Sequence, residues 1–247
     1  MGFFKLFSLA VAAVHLAEAQ QTSTATNTAE RVDCSADMNV LRTRAQLAEL
    51  ELGTDDTTQL PILKDDSTSP PKKVPNTEYL TKVCDAMKKS TVTESGFKPD
   101  GTFAYALQDG NTADCAAAVK YWKDAVSNFD SLPPAYTTDE AKYKDPQNVS
   151  FISMFNPAQS PKVDCAYFIC PAAAADTKTA GTGSETTEDK ELRALLCVTT
   201  PKVFTVNNKP FDQTQWDNIS KAARSAASTA VPAFFAVAAA AFAAIFL

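Results

Sequence analysis

The chain has 247 residues, 45% of them hydrophobic, and a formal net charge of −6. That length allows one domain with tails, and the acidic balance excludes a nucleic-acid binder, whose partner's phosphates need a basic face. A single histidine and seven glycines leave little for imidazole chemistry or a phosphate-cradling glycine loop.

The chain opens on a processing signal rather than on fold. Lys5 is a short basic flank, Leu6 to Leu16 is an apolar core, and Ala17-Glu18-Ala19 is a small-residue cleavage site. Residues 1–19 therefore read as a secretory signal peptide, removed in the mature protein. Residues 20–33 begin Thr-, Gln- and Asn-rich, which predicts disorder. An ectodomain follows over residues 34–210.

Its first helix is expected over about Ser35 to Leu52, with Met38, Leu41, Ala45, Ala48 and Leu52 on one face and Gly53 as its cap. Thr54 to Pro75 is a polar, proline-bearing connection. A second helix starts at Asn76 or Thr77 and carries Leu80, Val83, Cys84 and Met87 inward. Phe103 to Ala106 is a short strand. A third helix over Cys115 to Phe129 has Asp114 as N-cap and Trp122 on its apolar stripe. Asn148-Val149-Ser150 is an N-glycosylation candidate at Asn148, and Val149 to Phe155 fits a short helix or a strand.

Val163 to Pro171 alternates in two faces, as a half-buried strand does. Cys165, Tyr167 and Ile169 fall on one side; Ala166, Phe168 and Cys170 fall on the other. Cys165 and Cys170 cannot pair with each other without breaking that strand. Pro171 to Lys190 is a long Ala/Thr/Gly-rich excursion, and Ala194 to Thr199 returns as a strand. All six cysteines (Cys34, Cys84, Cys115, Cys165, Cys170 and Cys197) follow the signal peptide. An even count in a secreted chain predicts disulfides, with Cys165 to Cys197 the favoured pair across adjacent antiparallel strands. Zinc is disfavoured: no C-x-x-C spacing occurs, and His15 leaves with the signal peptide.

Residues 211–229 read as a linker, and 230–247 as a hydrophobic C-terminal segment preceded by small residues. That is the pattern of a glycosylphosphatidylinositol (GPI) signal, with Asn218, Ser220 and Ala222 as attachment candidates. The expected location is the outer leaflet of the plasma membrane, reached by secretory export.

Three helices and cysteine-bearing strands make an α+β sandwich. Ala118-Val119-Lys120-Tyr121-Trp122, Val163-Asp164-Cys165 with Cys170, and Leu196-Cys197-Val198-Thr199-Thr200-Pro201 resemble segments of the CAP superfamily (cysteine-rich secretory, antigen 5 and pathogenesis-related class 1 proteins). Asp164 stands where that family usually has Gly, and Val198-Thr199 where it has Asn-Tyr. With the terminal signals and six cysteines, the chain as a whole resembles the GPI-linked surface antigens (SAG family) of Eimeria parasites. The resemblance implies a CAP-like αβα sandwich with three main helices around a small antiparallel sheet. It implies a non-enzymatic surface antigen, for host-cell attachment or immune exposure, with host-cell surface or immune components as partners. The alternative it carries is a sterol- or lipid-binding module for a small apolar ligand. No catalytic residue, metal or cofactor is expected, since the metal-binding histidines of CAP proteins have no counterpart after residue 15. The paired carboxylates Asp55-Asp56 and Asp65-Asp66 read as solvated turns.

Overall fold

Two nine-residue strands, β6 (Lys162–Cys170) and β7 (Leu192–Thr200), form an antiparallel hairpin in a computed structural model that describes residues 26–93, 96–172 and 190–225. Both strands are buried on two faces, so the hairpin is the middle of the molecule. Residues 173–189 of the excursion between them lie outside the described residues, as do the signal peptide and residues 226–247.

The sheet has the order β1-β6-β7-β5, where β1 is Thr28–Val32 and β5 is Thr102–Leu107. A two-residue strand, β2 (Glu51–Leu52), runs parallel to the start of β6. The period of two divides the side chains between two cores. Cys165, Tyr167, Leu195, Cys197, Ala104 and Ala106 face one; Ala166, Phe168, Cys170, Leu196, Val198 and Phe103 face the other.

The first core is closed by four helices: α1 (Ser35–Arg44), α3 (Cys115–Asp124), α4 (Pro146–Met154) and α5 (Gln213–Arg224). The second is closed by α2 (Thr77–Lys88) and by Leu60 and Ile62 from the connection before it. That connection carries a small ribbon, β3 (Leu63–Asp65) against β4 (Lys73–Pro75). The protein is thus an α+β sandwich with helices on both faces of an antiparallel sheet, braced by disulfides.

Four expectations change. Residues 28–32 are a strand rather than part of a disordered segment: β1 pairs with β6 in the register Val32↔Cys165. Composition cannot see a partner more than a hundred residues away. The first helix stops at Arg44, where Gln46 takes a positive φ of 57°, and Leu52 belongs to β2. Gly53 is not its cap; it donates to Val163 O at 2.9 Å, and a Cβ there would lie 2.5 Å from Thr58 O. The third helix tightens into a 3-10 turn over Ala125–Asn128. Lastly, residues 213–224 of the expected linker form α5, with Trp216, Ile219, Ala222 and Ala223 in the first core.

Candidate functional site

The disulfides fix the layers to one another. Cys165–Cys197 crosses the central hairpin with a Cα–Cα distance of 4.0 Å. Cys34–Cys115 ties the start of α1 to the start of α3, at 5.3 Å. Cys84–Cys170 ties α2 to the end of β6 on the other face, at 5.6 Å. The two β6 cysteines therefore anchor opposite faces. Cys34, Cys165 and Cys197 bring their sulfurs within 4.8 Å of one another, but all are oxidised, so this cluster offers no thiolate to a metal.

Buried polar groups come next, because an active site would show here as a group held for chemistry. Arg42 is fully buried on α1. Its guanidinium donates to Ala48 O, to Met154 O at 2.8 Å and to Asn156 O at 2.9 Å. These carbonyls belong to the turn after α1 and the end of α4, where a cation also suits the helix dipole. Burial pushes the Arg42 pKa down to about 10, so it stays charged at neutral pH.

Asp164 is buried in β6. Its carboxylate accepts from Leu60 N–H at 2.8 Å and pairs with Arg31 of β1, which also donates to Leu60 O at 3.1 Å. Burial pushes this carboxyl above its ordinary value, while the Leu60 N–H and Arg31 pull it back. The triangle Arg31–Asp164–Leu60 seats the α2-side connection on the sheet.

A third group lies between α4 and the β5–β7 pair. Ser153 Oγ donates to Thr102 O at 2.7 Å and lies 3.1 Å from Thr199 Oγ1. Asn156 Nδ2 donates to Pro201 O at 2.7 Å. Ser150 Oγ receives the Tyr105 N–H at 3.1 Å, and Trp122 Nε1 donates to Tyr105 O at 2.9 Å. These bonds cover the outer edge of β5. Among the described residues neither serine hydroxyl hydrogen-bonds a carboxylate or an imidazole, and no buried side-chain nitrogen or oxygen lacks a partner. The polar interior is structural.

The expected carboxylate pairs are turn-formers. Asp55 Oδ1 accepts Thr57 N–H at 2.8 Å, and Asp66 Oδ1 accepts Thr68 N–H at 3.1 Å and Lys72 N–H at 2.9 Å. Hydrogen bonds from Thr57 and Thr68 hold both exposed carboxyls below their ordinary values. The turn at Asp66 closes the β3–β4 ribbon, whose tip, Ser67 to Lys72, is exposed throughout.

A cleft of about 300 Å³ lies between Ala45–Ala48, Pro157–Gln159 and the start of α5. Gln46, Gln159, Thr214, Gln215 and Asn218 supply much of its wall, which gives a sterol or fatty acid little apolar surface to cover.

The remaining predicted site residues also have places. Asn148 is buried in α4; its Oδ1 accepts from Asn128 Nδ2 at 2.7 Å and its Nδ2 donates to Lys142 O at 3.0 Å. A glycan there would displace both bonds. Asn218, Ser220 and Ala222 stand inside α5 rather than in a linker, and Ala222 is 4% exposed. The structure brings none of these four to an open, extended stretch of chain. Sequence reasoning missed Arg42 and the Arg31–Asp164 pair. Arg42 had a signal, since it lies four residues after the buried Met38 on the same helix face. Arg31 had none before its strand was known.

A family model described as the sporozoite surface antigen (SAG) protein domain matches residues 30–238. The chain belongs to this family. Among curated proteins it is 34% identical over 198 residues to the sporulated oocyst TA4 antigen of Eimeria tenella, covering 78% of this chain and 75% of the relative. No solved structure matches. The SAG assignment rests on these matches, whereas the CAP relationship gains no support from them. The matched SAG domain contains every described strand from β2 onward, the five described α-helices and all six cysteines. Membership places the protein among cell-surface antigens. No helix among the described residues is long and apolar enough to cross a membrane.

Proposed function

We propose that this SAG-family protein is a lipid-anchored, non-enzymatic antigen that presents a disulfide-braced domain to host cells or immune components. The observation that carries the reading is the use of the polar interior. Arg42, Asp164, Ser150, Ser153 and Asn156 are all engaged in holding backbone, and the described residues include no histidine to act as general base. The outward feature is the β3–β4 ribbon, rooted by Leu60 and Ile62 and exposed at Leu63 and along its tip. A ribbon with a buried root and a fixed turn presents the same shape to every partner, which favours recognition.

The membrane reading is supported by the apolar stretches Leu6–Leu16 and Val231–Leu247, the second preceded by small residues. Its test is phosphatidylinositol-specific phospholipase C on cells expressing the full chain. Release of the protein into the medium supports a lipid anchor, and retention on washed cells overturns it. The recognition reading is tested by binding of the released protein to host cells or immune sera. Replacing Ser67 to Lys72 by a glycine–serine turn should weaken that binding while leaving the circular dichroism spectrum unchanged.

A further inference from the structure

Two of the disulfides are neighbours in the first core. β1 delivers Cys34 to the central hairpin: Val32 stands opposite Cys165 in the register, and Cys34 follows two residues later, immediately before α1. Cys165 and Cys197 stand opposite each other across the hairpin. The sulfurs of Cys34, Cys165 and Cys197 consequently lie within 4.8 Å of one another, and Cys115 joins them through its bond to Cys34. The exposure of these residues is graded. Cys34 and Cys165 are 1% exposed and Cys197 is fully buried, whereas Cys115, at the start of α3, is only partly covered. The third bridge, Cys84–Cys170, lies on the other side of the sheet, with both of its residues buried in the second core.

A disulfide exchanges when a thiolate attacks one of its sulfurs, and access helps decide which sulfur is attacked. Of these four cysteines, Cys115 is the one that solvent reaches appreciably. Attack on Cys115 Sγ by an external thiolate, whose proton has gone to water, forms a mixed disulfide there and breaks the bond to Cys34. The electron pair of that bond leaves on Cys34 Sγ. This thiolate stands at the N-terminal end of α1, where the helix dipole favours negative charge. Its neighbour is the hairpin disulfide. Attack on Cys165 Sγ forms a Cys34–Cys165 bond and breaks Cys165–Cys197; the electron pair goes to Cys197, which takes a proton from water. One thiol is consumed and one is made, so no oxidant or reductant is needed. The hairpin thereby loses its cross-strand bridge, and the start of α1 becomes tied to β6.

We propose that Cys115, Cys34, Cys165 and Cys197 form a thiol–disulfide exchange site, which takes a small extracellular thiol at Cys115 and passes the exchange inward to the hairpin. The test uses the full chain, expressed in a eukaryotic cell and purified with its cysteines oxidised. Reduced glutathione is the probe, at a concentration that leaves the circular dichroism spectrum unchanged. Acid quenching, alkylation with N-ethylmaleimide and mass spectrometry of non-reduced peptides then map the bridges. Glutathione on Cys115, maleimide on Cys197 and a peptide joining Cys34 to Cys165 support the proposal. Maleimide on Cys34 with Cys165–Cys197 intact overturns it, and so does a Cys115 that takes up no glutathione. Exchange at Cys84–Cys170 as fast as at the hairpin also overturns it, since that pattern is general opening of the domain. The paired replacement Cys34→Ser, Cys115→Ser removes the entry bridge. Its Cys197 should take up maleimide about tenfold more slowly than the parent's at the same glutathione concentration, with unlabelled Cys84 and Cys170 verifying that the variant is folded. Equal labelling of Cys197 in that folded variant overturns the proposal; if the variant does not fold, the peptide map of the parent decides.

Discussion

Arg42 enters the first core with backbone oxygens as its partners and no carboxylate among its hydrogen bonds. Removing the guanidinium leaves Ala48 O, Met154 O and Asn156 O without it in a space that water cannot readily fill. Arg42→Met should therefore lower stability by about 3 kcal/mol, read as a shift in urea midpoint at unchanged slope. Asp164 makes a different, pH-dependent contribution. Its carboxyl is held above the ordinary value in the fold, so between the unfolded and folded pKa values the folded state binds the extra proton. Stability from this group is greatest below the ordinary carboxylate value and declines as pH rises through the folded one. Asp164→Asn should flatten that decline in melts taken between about pH 4 and pH 7. Asp55 and Asp66 act oppositely: their depressed values give stability that is lost as pH falls. At Asn148, whose amide is engaged at both ends, the mature protein should show no mobility shift on peptide N-glycosidase treatment.

Among the elements, α5 is the most consequential for stability that sequence reasoning assigned to a linker. Trp216→Ala should cost about 3–5 kcal/mol by chemical denaturation, since the ring fills the space between Phe129, Phe151 and Phe211. The helix was legible in principle. Asp212 followed by Gln215, then Trp216, Ile219 and Ala222–Ala223, is a capping box with a helical stripe. The small residues that read as an anchor site share this stretch and mask its helical period. Central elements were easier. The alternation in Val163–Cys170 predicts a strand with two buried faces, and the structure divides those side chains between two cores as the period requires. The α2 and α3 helices begin at Asn76 and Asp114, whose side chains accept from Tyr79 and Ala117 N–H. What stayed hidden depends on distant partners. β1 exists because β6 offers it an edge, and β2 interrupts a helical pattern because Gly53 lets the chain close on Val163.

At the scale of the whole molecule, the three disulfides do not simply brace helices against a sheet. Cys34–Cys115 spans the β3–β4 ribbon, and Cys165–Cys197 spans the excursion from Pro171 to Lys190. Loops that close between such bridges are worth about 2–4 kcal/mol each, mainly through the unfolded chain. Reduction should therefore destabilise the domain well beyond any single core substitution above, as measured by its thermal midpoint with and without reductant. There is also a topological result. One scission in the ribbon and another in the excursion would divide the polypeptide into three pieces, yet every piece would stay covalently joined to the next. Proteolytic cleavage in both segments would then shed none of the body that carries them. A non-reducing gel of such a clipped protein would show one band where a reducing gel shows three.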